Sequence, residues 1–273
     1  MDDPLGDYLR WLHAGGVAFE VSPDLWRDAD HDGPLIPDAR EVVPLEIEGL
    51  APFVEHRRPD LGLAANHATF SLLRSVLHAR LIPQSGRVWD IGCGTGVLGV
   101  AAGLAGARVV IATDVDPEVI EMAKRTAAEA GVPVRFHLGA GLTPVPAGAT
   151  ADFVFANLPH TPARAGAHLP VALAAGENGM AVHGPFVAAA RARLAPGATV
   201  CFLLHSLPDR GLLRAYNDGF RLTLLSWKRR FLGDGDPASN DHAVERAGRG
   251  DSFLGAAGSR RFLVAGAWQA VRW

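Results

Sequence analysis

Two short segments of the chain hold the residue types whose spacing could do chemistry. The first runs Asp90-Ile91-Gly92-Cys93-Gly94-Thr95-Gly96. Glycines alternating after a carboxylate let a strand end turn tightly and let the backbone approach a ligand closely. Asp90, two residues ahead of the first glycine, is placed to meet an ammonium group. A second carboxylate, Asp114, follows the β-branched run 109–113, where an acidic strand tip can take both hydroxyls of a ribose. Val115 stands next to it, and Asp116 before Pro117 reads as a helix N-cap. The glycines run Gly-x-Gly-x-Gly and not Gly-x-Gly-x-x-Gly, which speaks against a nucleotide-dependent oxidoreductase. An ammonium and a ribose on one ligand describe S-adenosylmethionine. The expected cofactor residues are Asp90, Gly92, Cys93, Gly94, Gly96, Asp114, Val115 and Asn157, with Cys93 a small packing residue inside the turn.

The second segment, Asn157-Leu158-Pro159-His160, follows the apolar run 152–156 and supplies the expected catalytic residues. The Asn157 side-chain oxygen and the Leu158 carbonyl can accept the two N–H bonds of an NH₂ group. That turns the nitrogen lone pair toward a sulfonium methyl, so catalysis is mostly positioning, worth up to roughly 7–11 kcal/mol of barrier. Pro159 stiffens the turn. For His160 three roles stay open: stacking on a planar acceptor, general base in an O-methyltransferase, or capping of the loop.

Elements of regular structure must bring these segments together. Residues 87–91, 109–113, 132–138, 152–156 and 199–205 read as strands. Residues 97–104, 117–130 and 184–194 read as helices between them. Alternation at this spacing predicts βαβ units and a parallel sheet covered on both faces. Residues 220–227 and 261–273 read as strands without a crossover helix between them, hence antiparallel. The Gly-, Asp-, Ser- and Asn-rich stretch 233–259 reads as a lid loop. Residues 1–65 read as a small N-terminal cap on the substrate side, leading through a helix at 68–80 into a main domain of 66–273.

Composition excludes several classes. With 48% hydrophobic and 20% charged residues over 273 positions, the chain can fill a core and is not globally disordered. A net charge of −3 supplies no general field toward nucleic acid or an anionic membrane. Lys228-Arg229-Arg230 reads as a solvated face. The two cysteines, Cys93 and Cys201, point to a reducing cytoplasm and no disulfide framework. The start MDDPLGDYLR lacks the basic residues of a signal peptide, and no apolar run is long enough for a membrane span. His31, His56, His137, His168, His183 and His242 lack metal-ligand spacing, so no metal is expected. The oligomeric state is open.

DIGCGTG, ATDVDPEVIEMAK and FANLPH together resemble the class I S-adenosylmethionine-dependent methyltransferases, over roughly residues 70–195. Within them the likeness is to the HemK/PrmC-like N-methyltransferase branch. The resemblance implies an α/β fold, a Rossmann-like seven-stranded sheet with an antiparallel last strand. Residues 157–160 are similar to the branch's Asn-Pro-Pro-Tyr motif, found in enzymes that methylate amide or exocyclic amino nitrogens; Leu158 replaces a proline and His160 the tyrosine. Ala140 stands where the family often has an acidic residue for the adenine amino group, which leaves adenine to the backbone or another group. Residues 176–180 resemble a Gly-Glu-Asp-Gly-Leu segment, with Glu177 a loop anchor. In Asn66-His67-Ala68-Thr69, where the family often closes over the cofactor, His67 reads as a ligand contact or, in preference, as a helix-start polar group. The resemblance implies a protein glutamine or an RNA amino group as acceptor. The altered tetrapeptide, the different first 65 residues and the 233–259 stretch turn the expectation toward a small molecule, such as a specialised metabolite, methylated on nitrogen. A non-catalytic domain that binds the donor is the alternative from another class.

Overall fold

Where the apolar runs end decides what stands at the ligand-facing edge of the sheet. The computed structural model describes residues 3–31, 39–164, 175–233 and 237–273. His168 and parts of the stretches 1–65 and 233–259 therefore lie outside the described residues. The chain opens with α1 (Pro4–Ala14), β1 (Glu20–Arg27), β2 (Val42–Leu45), β3 (Phe53–His56) and α2 (His67–His78). Next come β4 (Arg87–Ile91), α3 (Val97–Leu104), β5 (Val109–Asp114), α4 (Pro117–Glu129), β6 (Val134–Leu138) and β7 (Phe153–Phe155). The last third holds α5 (His183–Arg193), β8 (Thr199–His205), α6 (Gly211–Asn217) and β9 (Phe220–Phe231). It ends with α7 (Pro237–Gly248), β10 (Gly255–Ala257) and β11 (Arg260–Arg272).

The main sheet has the order β1-β9-β11-β8-β7-β4-β5-β6, with β10 pairing β11 at the side. Strand β4 lies parallel to β5 and β7, while β11 runs antiparallel to both β8 and β9. The sheet holds nine strands where seven were expected, β1 and β10 among them, and its last strand is reversed. The central strands are buried on both faces, as their unbroken apolar runs require. Trp89, Phe202 and Trp268 pack in one layer, and Leu72, Val88 and Phe153 in the other. Local chemistry sets the helix starts. Asn66 and Thr69 close a capping box on α2, and Asp116 accepts from the Glu118 amide at 2.8 Å ahead of Pro117. Among the described residues no helix is long and apolar enough to cross a membrane.

Two expectations about organisation differ from the structure. The first 65 residues are not one cap: β1 joins the main sheet, parallel to β9, and shields what would otherwise be an open edge. Only the antiparallel pair β2–β3 stands apart, docked on α4 through the His56 amide, which donates to Thr126 Oγ1 at 3.0 Å. The stretch read as a lid loop contains α7 and β10. Its weak helix formers are held by tertiary anchors: Arg246 donates to Ser252 Oγ at 3.1 Å, and Ser206 to the Phe253 carbonyl at 2.7 Å.

Candidate active site

Three glycines at positive φ bend the turn after β4: Gly92 (69°), Gly94 (53°) and Gly96 (82°). The Gly92 and Cys93 amides both donate to the Thr113 carbonyl, at 2.8 and 2.9 Å, and tie the turn to the end of β5. The Gly94 amide donates to Asp114 Oδ2 at 2.9 Å. A Cβ on Gly92 would strike Leu158 Cδ2 at 2.6 Å, so this turn and the 157–160 loop are in direct contact. A Cβ on Gly94 would meet nothing within 4 Å: open space lies before the middle of the turn.

Asp90 lies under that turn, 1% exposed. Its Oδ2 accepts from the Gly99 amide at 2.8 Å, while Oδ1 is buried and has no partner among the described residues. Burial above all, with the nearby Asp114 charge adding, pushes its carboxyl up to about 7. An ammonium arriving there would satisfy the orphaned oxygen and restore the ionised form. Beyond Asp114, Val115 (58% exposed) and Leu138 (57% exposed) present an apolar shelf at the strand ends, and Ala140 is exposed and carries no polar side chain. An orphaned carboxylate oxygen, an open cradle at Gly94 and an apolar shelf beside a second carboxylate fit an amino acid joined to a nucleoside. Cys93 packs on Ala112, Ile120 and Ala123; burial and then the two carboxylates push its thiol well up, which leaves it inert.

One residue of this half escaped the reading of the sequence. Glu55 of β3 is fully buried; its Oε1 accepts from Thr95 Oγ1 at 2.7 Å and from the Ala65 amide at 2.6 Å. It fastens the β2–β3 hairpin to the glycine turn. The inward side of a four-residue alternating strand was the available signal.

The loop after β7 lines a narrow cavity of about 70 Å³ together with the start of α2 and the ends of β8 and β9. Asn157 Nδ2 donates to Thr69 Oγ1 at 3.2 Å, and its Oδ1 takes no hydrogen bond among the described residues. His160 Nδ1 donates to the Leu158 carbonyl at 2.8 Å, and its Nε2 accepts from the His205 amide at 3.4 Å. With both nitrogens engaged and the ring buried, its pKa falls to about 4 through burial. Of the three roles open to it, this geometry matches capping. Pro159 lines the cavity beside it. His67 opens α2 as expected and also faces the cavity, its ring centroid 3.6 Å from that of His31. Glu177 is exposed and its carbonyl accepts from His242 Nε2 at 3.2 Å.

The basic triplet is not a solvated face. Strand β9 runs past Trp227 to Phe231, so alternation sends Lys228 and Arg230 to one face and Arg229 to the other. Lys228 is 4% exposed, and both it and Arg230 line the cavity. Arg229 pairs with Asp30 at 2.5 Å on the other side.

Residues 62–163 match the sequence profile of the ribosomal protein L11 methyltransferase (PrmA) family. A release factor glutamine methyltransferase of Deinococcus radiodurans is 40% identical over 126 residues, which is 42% of this chain and 44% of that protein. A ribosomal protein L11 methyltransferase of Symbiobacterium thermophilum is 40% identical over 104 residues, 37% of this chain and 33% of that one. The chain thus spans less than half the length of these relatives. A T. thermophilus 16S rRNA N2 methyltransferase, solved with AdoMet and guanosine, shares the fold with a TM-score of 0.53 at 17% identity, over 86% of this chain and 53% of that chain. Both named relatives act on protein by name, and neither supports the small-molecule expectation. The chain has the Rossmann-like fold of the class I S-adenosylmethionine-dependent methyltransferases; over residues 62–163 it resembles the ribosomal protein L11 methyltransferases, and over 126 residues a release factor glutamine methyltransferase.

Proposed function

We propose that the protein is an S-adenosylmethionine-dependent methyltransferase acting on a nitrogen of a protein side chain, an amide or an amine, in a reducing cytoplasm where Cys93 and Cys201 stay free. The observation that supports this reading is the close approach of Leu158 to Gly92, which joins the donor turn to the loop that carries Asn157, whose Oδ1 takes no hydrogen bond among the described residues. The donor, when bound, would supply an electrophilic methyl on a sulfonium: the S–CH₃ bond would break as N–CH₃ forms, S-adenosylhomocysteine would leave, and the nitrogen's displaced proton would pass to solvent. Asp90 would take its ammonium, Asp114 its ribose, and Val115 with Leu138 the flat face of its base. Thr69 holds the Asn157 amide, so that Oδ1 and the second lone pair of the Leu158 carbonyl accept the acceptor's N–H bonds. His160 acts through the loop it holds and not as a general base.

The size of the cavity supports a side chain over a metabolite. Sites that enclose a free small molecule run to roughly 300–1,000 Å³, whereas this one, at about 70 Å³, falls well below that range. The names of the relatives point the same way. The test is twofold: calorimetric titration with S-adenosylhomocysteine, and transfer of labelled methyl from the donor into a fractionated cell extract. Label fixed in the protein fraction and recovered on nitrogen after hydrolysis is the expected result. Label confined to the low-mass or RNA fraction, or no affinity for the product, overturns the reading.

A further inference from the structure

The acceptor cavity carries cations that the transfer of a methyl group does not need. Lys228 and Arg230 line it, beside His31 and the uncharged rings of His67, His160 and His205, and no carboxylate does among the described residues. Behind the wall, Lys228 Nζ reaches Asp28 Oδ2 at 3.4 Å. That carboxylate is shared: Arg74 donates to it at 2.8 Å and Ser71 Oγ at 2.7 Å. One anion therefore answers two cations. Arg230, on the same face of β9, has no hydrogen-bond acceptor or ion-pair partner for its guanidinium among the described residues. Burial draws it below its usual range, yet a guanidinium stays charged in a protein. Arg230 is half-buried, so an unpaired charge there is only partly solvated, and its planar fork of donors is matched by a carboxylate or phosphate.

We propose that Arg230, backed by Lys228, forms an anion subsite in the acceptor cavity, and that the protein methylates a nitrogen lying beside a carboxylate in an acidic peptide. This rests on the reading of the cavity as the acceptor site. Carboxylate is favoured over the phosphate of a nucleic acid by two observations. A cavity of about 70 Å³ takes a side-chain head group but not a nucleotide. The chain's net charge of −3 offers no track of cations along which a phosphate backbone could lie.

The test uses fluorescent pentapeptides with a central glutamine or lysine, flanked by aspartate or by alanine, and a phosphoserine-flanked version and an RNA pentamer for comparison. Binding to the whole protein is read by anisotropy with S-adenosylhomocysteine present and absent. The aspartate-flanked peptides are expected to bind roughly tenfold to hundredfold tighter than the alanine ones. Arg230→Gln should erase the preference and Arg230→Lys restore part of it, with unchanged circular dichroism. Equal binding of aspartate and alanine peptides, or tightest binding of the RNA or phosphopeptide, overturns the proposal. So does an Arg230→Gln variant that loses affinity for S-adenosylhomocysteine while keeping its peptide preference, since Arg230 would then hold the donor. Because binding is read without turnover, an acidic-peptide preference in a protein with no affinity for the donor product would keep this subsite and defeat the methyltransferase reading instead.

Discussion

The donor half and the acceptor half of the site are built on opposite plans. The donor half is built chiefly on one run of chain, residues 90–115, with Glu55 and Leu138 beside it, and is closed by backbone amides that donate to the carboxylates Asp90 and Asp114. The acceptor half draws His31, His67, residues 157–161, His205, Lys228 and Arg230 from five separate stretches, and its cavity wall is basic. The match to the family profile, residues 62–163, takes in the 90–115 run whole and only part of the acceptor half. A strand-end turn keeps its chemistry wherever the rest of the chain goes. A wall assembled from distant strands can be rebuilt for a new acceptor without disturbing the donor.

The sharpest way to break this division is at its seam. Asn157 belongs by position to the donor-side strand and by its free Oδ1 to the acceptor. Asn157→Ala should lower methyl transfer by about 10²–10³-fold, the scale of losing one preorganised polar contact to the reacting group. Affinity for S-adenosylhomocysteine should stay within about threefold. Single-turnover transfer and calorimetry on one preparation check both. A parallel loss of donor affinity would mean that the seam lies elsewhere.

The two halves should also respond oppositely to acid. On the acceptor side, His67 and His160 are lowered to about 4, and His183 and His205 lie well below the usual value, each chiefly by burial. A native base with a depressed pKa binds fewer protons than the unfolded chain, so its contribution is full above about 6.5 and is lost as pH falls toward 4. The raised Asp90 works in the other sense: the native form binds more protons, so stability falls as pH rises from about 4 to about 7. The histidines outnumber it, and the protein should unfold more easily in urea as pH drops below 6.5. His160→Asn should remove up to one proton from that dependence, roughly 1.4 kcal/mol per pH unit. Urea midpoints from pH 7 to 4.5 decide it; an unchanged slope would mean that the ring is already charged.

A smaller effect reports the donor side alone. If Asp90 takes the ammonium as a carboxylate, donor affinity must rise with pH through about 7 and level off above it. Asp90→Asn should weaken binding by roughly tenfold at pH 8 and flatten the profile. Titrations in buffers of different ionisation enthalpy would show proton release in the original protein near pH 6.5 and none in the variant. A flat profile in both would place the ammonium elsewhere.

What could be read from the sequence follows the same division. The turn at 90–96, the acidic tip at 114 and the Asp116 cap depend on residues a few positions apart, and they stand where the spacing put them. The reversed β11 was legible because no helix separates it from β9 in the reading, although α7 lies there: tertiary anchors override the weak propensity of its Gly-, Ser- and Asn-rich sequence. Glu55 was missed because its partner Thr95 lies 40 residues away. The β1 edge strand was missed because its partner is 200 residues off, and nothing local distinguishes a strand that joins the sheet from one in a cap. The basic triplet was read as one solvated face of a late strand, whereas the pleat of β9, which runs on to Phe231, sorts its three side chains onto two faces.

That sorting gives the mildest prediction and the cleanest control. Arg229 and Arg230 are adjacent and chemically identical, and only the pleat separates them. Arg229 donates to Asp30 through Nε at 2.9 Å and Nη2 at 2.5 Å, and its amide donates to the same carboxylate at 3.1 Å. Asp30 is held below the usual carboxylate range because these bonds, with that from Arg27, outweigh the opposing effect of burial. The pair is only partly buried, so Arg229→Gln should cost about 0.2–1 kcal/mol in urea stability. Donor affinity and peptide preference should not change, since the side chain points away from the cavity. If Arg229→Gln and Arg230→Gln instead weakened acidic-peptide binding alike, the cause would be the general charge of the strand, and the division between a local donor site and a face-specific acceptor wall would be wrong at its most exposed point.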